Sequence, residues 1–276
     1  MKAIVNVPVC PLMTRPGPDC ERADEVLLGM VVEVLEQTTA AYWRVRTHYR
    51  YEGYAPVHCL LTQGVATWEQ KPKKVVRHKR FADVQQSPGF QSWPLVTVPM
   101  GAIMAVAEEK GTAQPGWMAV ELPSGCRGWV RESWLDDPCA APPDLSEADL
   151  RARIVDIALS YQNVPYRWGG KTPMGIDCSG LVSMAYLLNG ITICRDARLE
   201  PGFDLVDIPL ADIRPGDAIF FPGHVALYLG DGRYVHATGK AGSDGVVINS
   251  LDPNADDYRP DLAKSITAIG SYKGFH

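Results

Sequence analysis

One pattern occurs twice in this chain, and it limits what the first half can fold into. Gly29-Met-Val-Val-Glu-Val-Leu is followed by Trp43-Arg-Val and then Gly53-Tyr54; Gly101-Ala-Ile-Met-Ala-Val is followed by Trp117-Met-Ala-Val and then Gly128-Trp129-Val130. The Gly-to-Trp spacings are 14 and 16 and the Trp-to-Gly spacings 10 and 11, which makes an internal repeat of roughly 70–75 residues. A repeat this short holds only a few strands. Runs such as Tyr42-Trp43-Arg44-Val45-Arg46 alternate with the period of a half-buried strand, and turn residues recur about every eight to twelve positions, so each copy is expected to close into a small all-β barrel. The copies occupy 1–62 and 80–136.

What remains of the 276 residues suffices for one more domain at about 100–200 residues each. Between the repeats, 63–79 reads as a basic linker: KPKKVVRHKR (71–80) holds six Lys or Arg and His78 around Pro72, the composition of a solvated connector. DDPCAAPPD (136–144) carries three prolines and marks 137–144 as a second linker. Ser146 then offers an N-cap to a helix with an apolar stripe at Leu150, Ile154, Ile157, Ala158 and Tyr161,. A second helix is expected from Cys178 to about residue 189, then strands at 217–221, 224–229, 233–237, 246–250 and 265–272. Helices first and antiparallel strands afterwards give 145–276 an α+β order.

Composition bears on partners. Lys and Arg number 27 against 32 Asp and Glu, a net charge of −5, whereas phosphate backbones require a basic surface. Nucleic acid is therefore excluded as the main partner, and a small molecule or peptide is expected. No apolar run approaches the ~18 residues of a membrane span, so no membrane partner is expected. MKAIVNVPVC, broken by Asn6 and Pro8, does not read as a signal peptide, and the expected location is the cytoplasm unless a native signal lies outside this chain. Cysteines at 10, 20, 59, 126, 139, 178 and 194 form an odd set without close pairs, suited to a reducing compartment. No Cys-x-x-Cys or His-x-x-x-His pair offers chelating spacing, so no metal site is expected.

GGKT at 169–172 lacks the Gly five positions earlier that a phosphate loop needs, since residue 165 is Pro,. The better centre for chemistry is Cys178 in DCSGL. It follows a loop and opens a helix, where unpaired N–H groups and the helix dipole favour a thiolate, so a thiol pKa below the ordinary ~8.5 is expected. The position alone also suits a small buried hydrophobe. A nucleophilic thiol needs a base, and the base an orienting partner. Two histidines stand on neighbouring strands, His224 in GHVALYLG and His236 in RYVHAT, and the turn between them decides whether they meet. A two-residue Asp231-Gly232 turn pairs Leu227 with His236 and puts the rings on opposite faces. A three-residue loop with Gly232 left-handed pairs Ala226 with His236 and makes the rings diagonal neighbours on one face.

DCSGLVSMAY, then RPGD ahead of a strand, then His-Val-Ala with a downstream His in RPGDAIFFPGHVALYLGDGRYVHAT, resemble the NlpC family of papain-like cysteine peptidases, which hydrolyse peptide stems of bacterial peptidoglycan. The likeness covers about 145–276, and the two repeats resemble tandem bacterial SH3-like domains. The resemblance implies a multidomain chain: two small all-β SH3-like barrels followed by an α+β papain-like cysteine peptidase domain. It makes Cys178 the nucleophile, His224 the general base and acid, His236 the residue that orients it, and the Cys178 N–H an oxyanion donor.

Two such barrels ahead of the peptidase resemble the branch that cleaves after γ-D-glutamate in L-Ala-γ-D-Glu-diamino acid peptides with a free N-terminus, in which the first barrel walls off the cleft. Matching ERADEVLLG and YRYEGY to that branch makes Glu21 and Tyr51 the groups that reach the substrate amine, with Asp177 and Ser179 beside the nucleophile. The branch's Gly-Trp after the tyrosine is Gly53-Tyr54 here. The implied activity is a γ-D-glutamyl-L-diamino acid endopeptidase that recycles wall peptides and needs no cofactor. The alternatives are a secreted peptidoglycan hydrolase whose barrels bind the wall, a non-enzymatic wall-binding protein, and an acyl transferase with the same Cys-His chemistry.

Overall fold

The repeat in the sequence is a repeat of topology. In a computed structural model that describes residues 1–108 and 114–276, the first unit, Met1–Pro138, contains two seven-stranded antiparallel sheets. The first is built in chain order from Lys2–Val5, Val9–Met13, Arg22–Leu27, Val31–Glu36, Tyr42–Arg46, Glu52–Pro56 and Leu60–Leu61. The second uses Lys73–Val76, Phe81–Gln85, Pro94–Pro99, Ile103–Val106, Trp117–Glu121, Arg127–Arg131 and Leu135–Asp136. Read across each sheet, the strands follow one order: third, second, sixth, fifth, fourth, first, seventh. Gly29 and Gly101, which open the repeated pattern, both sit at positive φ, +78° and +91°, where an L side chain is strained.

The segment 63–79 is not the linker that its charge suggests. Val65–Gln70 is a helix, and Lys73–Val76 is a strand of the second sheet, paired with Ile103–Val106 on one side and Leu135–Asp136 on the other. Charge misled because the basic run is interrupted by Val75 and Val76, both buried, while its lysines find local partners. Lys74 lies 2.7 Å from Asp137, Lys71 pairs with Glu121, and Lys73 donates to the Lys71 carbonyl at 2.6 Å. The helix carries Trp68, buried with Ile4 and Ala105, and its indole N–H donates to the Gly29 carbonyl at 2.9 Å. The two sheets therefore share a small apolar core instead of hanging on a solvated connector.

In the second unit, Cys139–His276, helices precede strands. Ser146 caps the helix Glu147–Ser160 by accepting from the Asp149 N–H at 3.1 Å, and Leu150, Ile154, Ile157 and Ala158 bury its apolar stripe. The helix Cys178–Leu187 has no charged residue and is buried from Cys178 to Tyr186, the environment an all-round apolar helix requires. It packs on the strands His224–Gly230 and Arg233–Thr238. These are central in a six-stranded antiparallel sheet ordered Leu205–Asp207, Ala268–Tyr272, Ala218–Phe221, His224–Gly230, Arg233–Thr238, Gly245–Ser250. Leu205–Asp207 and the small hairpin of Lys171–Thr172 with Gly175–Ile176 are too short to show a periodicity. Among the described residues, no helix is long and apolar enough to cross a membrane.

Arg151 joins the layers of this unit. Its guanidinium donates to the Asp217 carboxylate at 2.8 Å and to the Pro215 carbonyl at 2.9 Å, and lies 4.1 Å over the Phe275 ring. Asp217, fully buried, accepts the Arg214 N–H with its other oxygen at 2.8 Å. The Asp of the RPGD motif thus closes the turn that launches Ala218–Phe221. Without Asp217, the buried Arg151 would keep only the half-exposed Glu147, 2.8 Å from its Nε, so Asp217→Leu is expected to cost up to about 3–5 kcal/mol, read as a fall in the urea unfolding midpoint. Adding Arg151→Met to that variant should restore part of the loss, because both buried charges are then gone.

Candidate active site

The DCSG motif is a helix start. Asp177 is the N-cap of Cys178–Leu187, its Oδ1 accepting from the Gly180 N–H at 2.5 Å. Gly180 is required by a close approach: a Cβ there would lie 2.2 Å from the Gly170 carbonyl oxygen. Arg195, only 2% exposed, clamps this cap. Its Nη1 is 3.0 Å from Oδ1 and its Nη2 3.1 Å from Oδ2 of Asp177, and Nη1 also donates to Ser179 Oγ at 2.7 Å. Cys178 stands between these two anchored neighbours and is itself buried. The backbone N–H groups of Val225 and Ser179 lie near enough to favour its thiolate, which sets it beside the start of the strand that His224 opens.

The histidines meet through a register neither simple turn describes. Gly230 pairs with Arg233, so the turn is the two-residue Asp231-Gly232, both at positive φ (+50° and +71°), as the hairpin twist favours. A bulge between Tyr228 and Gly230, with Gly230 at φ +103°, then shifts the register, and Tyr228 faces Tyr234 and Leu227 faces Val235. Continued one step, Ala226 faces His236, and His224 and His236 share a face. Their ring nitrogens, His224 Nε2 and His236 Nδ1, are 2.7 Å apart, and His236 Nε2 lies 2.8 Å from Asn249 Oδ1. The expected outcome holds while the expected loop does not: the turn has two residues, and the bulge supplies the extra one.

Burial opposes charge on the thiol and on both imidazoles. Burial, then the Asp177 charge, raises the Cys178 thiol to about 11, against the Val225 and Ser179 N–H groups and Arg195, which favour the thiolate. The expectation of a depressed thiol pKa is overturned, because the helix start that should lower it is withdrawn from water and carries a carboxylate as its cap. Burial lowers His224 to about 3, with His236 and the Arg259 charge adding to the effect and Asp261 opposing it. Burial also lowers His236 to about 4, against the hydrogen bond to Asn249. Tyr166 is pushed to about 12 by burial and then by Cys178 and Asp177, against Arg195, so its hydroxyl keeps its proton.

Cys178, His224 and His236 therefore lie together, with Asp177 and Ser179 in the clamp around the thiol. Glu21 and Tyr51 belong to the first unit. Glu21 is exposed just before Arg22–Leu27, and Tyr51 is half-buried in a turn where its N–H donates to Thr47 Oγ1 at 3.0 Å. The buried acids of that segment are Asp24 and Glu25, with the Tyr49 hydroxyl donating to Asp24 at 2.6 Å. Arg195, Tyr166 and Asn249 were not singled out from the sequence. The first two belong to no spacing pattern, whereas Asn249 becomes legible once the strands are in register, since it pairs with Tyr234 and so shares the face of His236.

Dipeptidyl-peptidase 6 of Lysinibacillus sphaericus is 46% identical over 273 residues, 98% of this chain and 99% of that protein. The gamma-D-glutamyl-L-lysine dipeptidyl-peptidase of Bacillus cereus is 32% identical over 133 residues, 43% of this chain and 37% of its own length. The crystal structure of an NlpC/P60 family protein from Bacillus cereus matches with a TM-score of 0.78 at 21% identity, covering 99% of both chains, a likeness of fold. The NlpC/P60 family profile matches residues 163–258, the segment that contains Cys178, His224, His236 and Asn249. With a relative aligned along almost its whole length and the profile centred on the candidate site, the chain belongs to the NlpC/P60 family.

Proposed function

We propose that this chain is a cysteine peptidase that hydrolyses the γ-D-glutamyl-L-diamino acid bond of murein-derived peptides, with Cys178 as nucleophile. The observation that carries the reading is the line of groups at the helix start: a thiol at the head of the strand His224–Gly230, with His224 bonded through its Nε2 to His236. The names of the two dipeptidyl-peptidases support the substrate class. The shared strand order of the two N-terminal sheets supports reading them as tandem SH3-like barrels, and wall-peptide recycling in the cytoplasm is the role that fits a substrate of this size.

In this mechanism His224 Nδ1, the nitrogen not engaged by His236, takes the thiol proton as sulfur attacks the scissile carbonyl. Proton transfer accompanies attack because both partners are neutral beforehand. The Cys178 N–H, at the helix N-terminus, donates to the oxyanion. Collapse expels the diamino acid amine, which receives the proton from His224. Water, deprotonated by His224, then attacks the thioester and releases the γ-glutamyl carboxylate with the free thiol.

Incubation with L-Ala-γ-D-Glu-L-Lys and its diaminopimelate counterpart, with products identified by mass, tests the reading. Cys178→Ala should reduce cleavage to background. His224→Ala should cost ~10²–10⁴-fold in kcat/KM and more than His236→Ala, which leaves the base in place. N-acetylated substrate should be cleaved far more slowly, and Glu21→Gln and Tyr51→Phe report whether those side chains supply that selectivity. Equal rates for acetylated and free peptides would favour a wall hydrolase instead. A second measurement follows from the raised thiol pKa: iodoacetamide alkylation of Cys178 should climb steadily from pH 6 to pH 10, whereas a plateau throughout that range would indicate a preformed thiolate.

A further inference from the structure

Resting on the peptidase reading, we infer that Asn249 is a positioning residue that fixes the proton arrangement of both histidines and thereby leaves His224 Nδ1 unprotonated and ready to accept the thiol proton. The argument starts at the far end of the line. Asn249 Nδ2 donates to the Asp257 carbonyl at 2.7 Å, and a backbone carbonyl can only accept. That contact fixes which end of the amide is which, so the oxygen faces His236 Nε2 at 2.8 Å and must receive a proton from it. His236 is then the Nε2–H tautomer, and its Nδ1 is a lone pair. The 2.7 Å contact between that Nδ1 and His224 Nε2 requires the proton to sit on His224 Nε2. His224 Nδ1 is left bare. For two neutral rings, each with one proton, no other arrangement satisfies all three contacts.

The register makes the same assignment. Asn249 faces Tyr234, and His236 faces Val247, so Asn249 and His236 are diagonal neighbours on one face of the sheet, as His236 and His224 are. Three adjacent strands thus carry the line. Its last fixed point, the Asp257 carbonyl, comes from the chain returning after Gly245–Ser250, where Tyr258 bridges to Ser250. The charges acting on both rings are those of Arg259 and Asp261, which pair with each other at 2.6 Å and oppose one another at the histidines. Tyr234 packs against His236 with ring centroids 5.3 Å apart. Among the described residues no charged side chain hydrogen-bonds the end of the line, so an uncharged amide decides its polarity.

The test uses the full chain labelled with 15N in histidine. In the unsubstituted protein near pH 7, the imidazole spectrum should show both rings protonated at Nε2 and bare at Nδ1; protonation of His224 at Nδ1 would overturn the inference. Asn249→Leu removes the acceptor at similar volume, lets His236 adopt the Nδ1–H form and pushes the His224 proton onto Nδ1. The spectrum should show that exchange, and kcat should fall about 10–100-fold with KM within about twofold. An unchanged spectrum, or a loss confined to KM, would overturn it.

Asn249→Asp guards against a misfolded Leu variant. A carboxylate keeps the acceptor, so the Nε2–H tautomers should persist, and it stabilises imidazolium, so the acid limb of the kcat/KM profile should move to higher pH. Loss of the Nε2–H pattern or an unmoved limb would count against the assignment. If the unsubstituted protein and Cys178→Ala show equal, background cleavage, the peptidase reading fails, while the tautomer measurement still decides the role of Asn249 in the histidine line.

Discussion

A single extra residue in one hairpin brings the two histidines of this protein together. Side chains alternate across a strand, so a shift of one in the pairing sends every side chain to the opposite face. The two-residue Asp231-Gly232 turn alone would put His224 and His236 on opposite sides. The bulge ahead of Gly230 adds the missing step, and the rings come within hydrogen-bond distance. Glycines at 230 and 232 and the tolerant Asp231 take the positive φ values that turn and bulge require,. A short stretch of permissive backbone thereby aligns groups on three strands with a helix start.

Around that alignment, the carboxylates of two motifs make structural bonds. The carboxylates of DCSG and RPGD both serve as buried anchors. Asp177 caps a helix and is held by Arg195; Asp217 closes a turn and is held by Arg151. Each arginine bonds across separate elements, so the helix Cys178–Leu187 and the strand preceding His224 are each held by their own ion pair. Tyr186, on the helix that Cys178 opens, also donates to the Gly216 carbonyl beside Asp217.

Much of this was legible in the sequence where a pattern has a physical period. The Gly and Trp spacing anticipated two sheets of like construction, the Ser146 cap and apolar stripe anticipated a helix, and the alternating runs located the hairpin within a residue or two. Charge was a poorer guide. The basic run around Lys73 hid a strand, because the pairing of a few lysines with nearby carboxylates and the burial of Val75 and Val76 are tertiary facts. The thiol pKa was misjudged for a related reason: the helix dipole can be read from sequence, but desolvation cannot. Arg195 and Tyr166 belong to no motif because what places them is packing, and the hairpin bulge arises from φ angles that a string of Gly and Asp permits without demanding.

The desolvation that keeps both imidazoles uncharged has a cost in acid. A ring with a lowered pKa binds its proton more weakly in the folded chain than in the unfolded one, so the unfolded state takes up protons first as the medium acidifies. Stability from this source is complete above the ordinary histidine value of 6.5 and is lost as pH falls toward about 3 for His224 and about 4 for His236. Within that window each pH unit removes up to about 1.4 kcal/mol per ring. Two such rings in contact make proton uptake a strain at the heart of the sheet, and acid weakens this domain through the same burial that holds the rings uncharged.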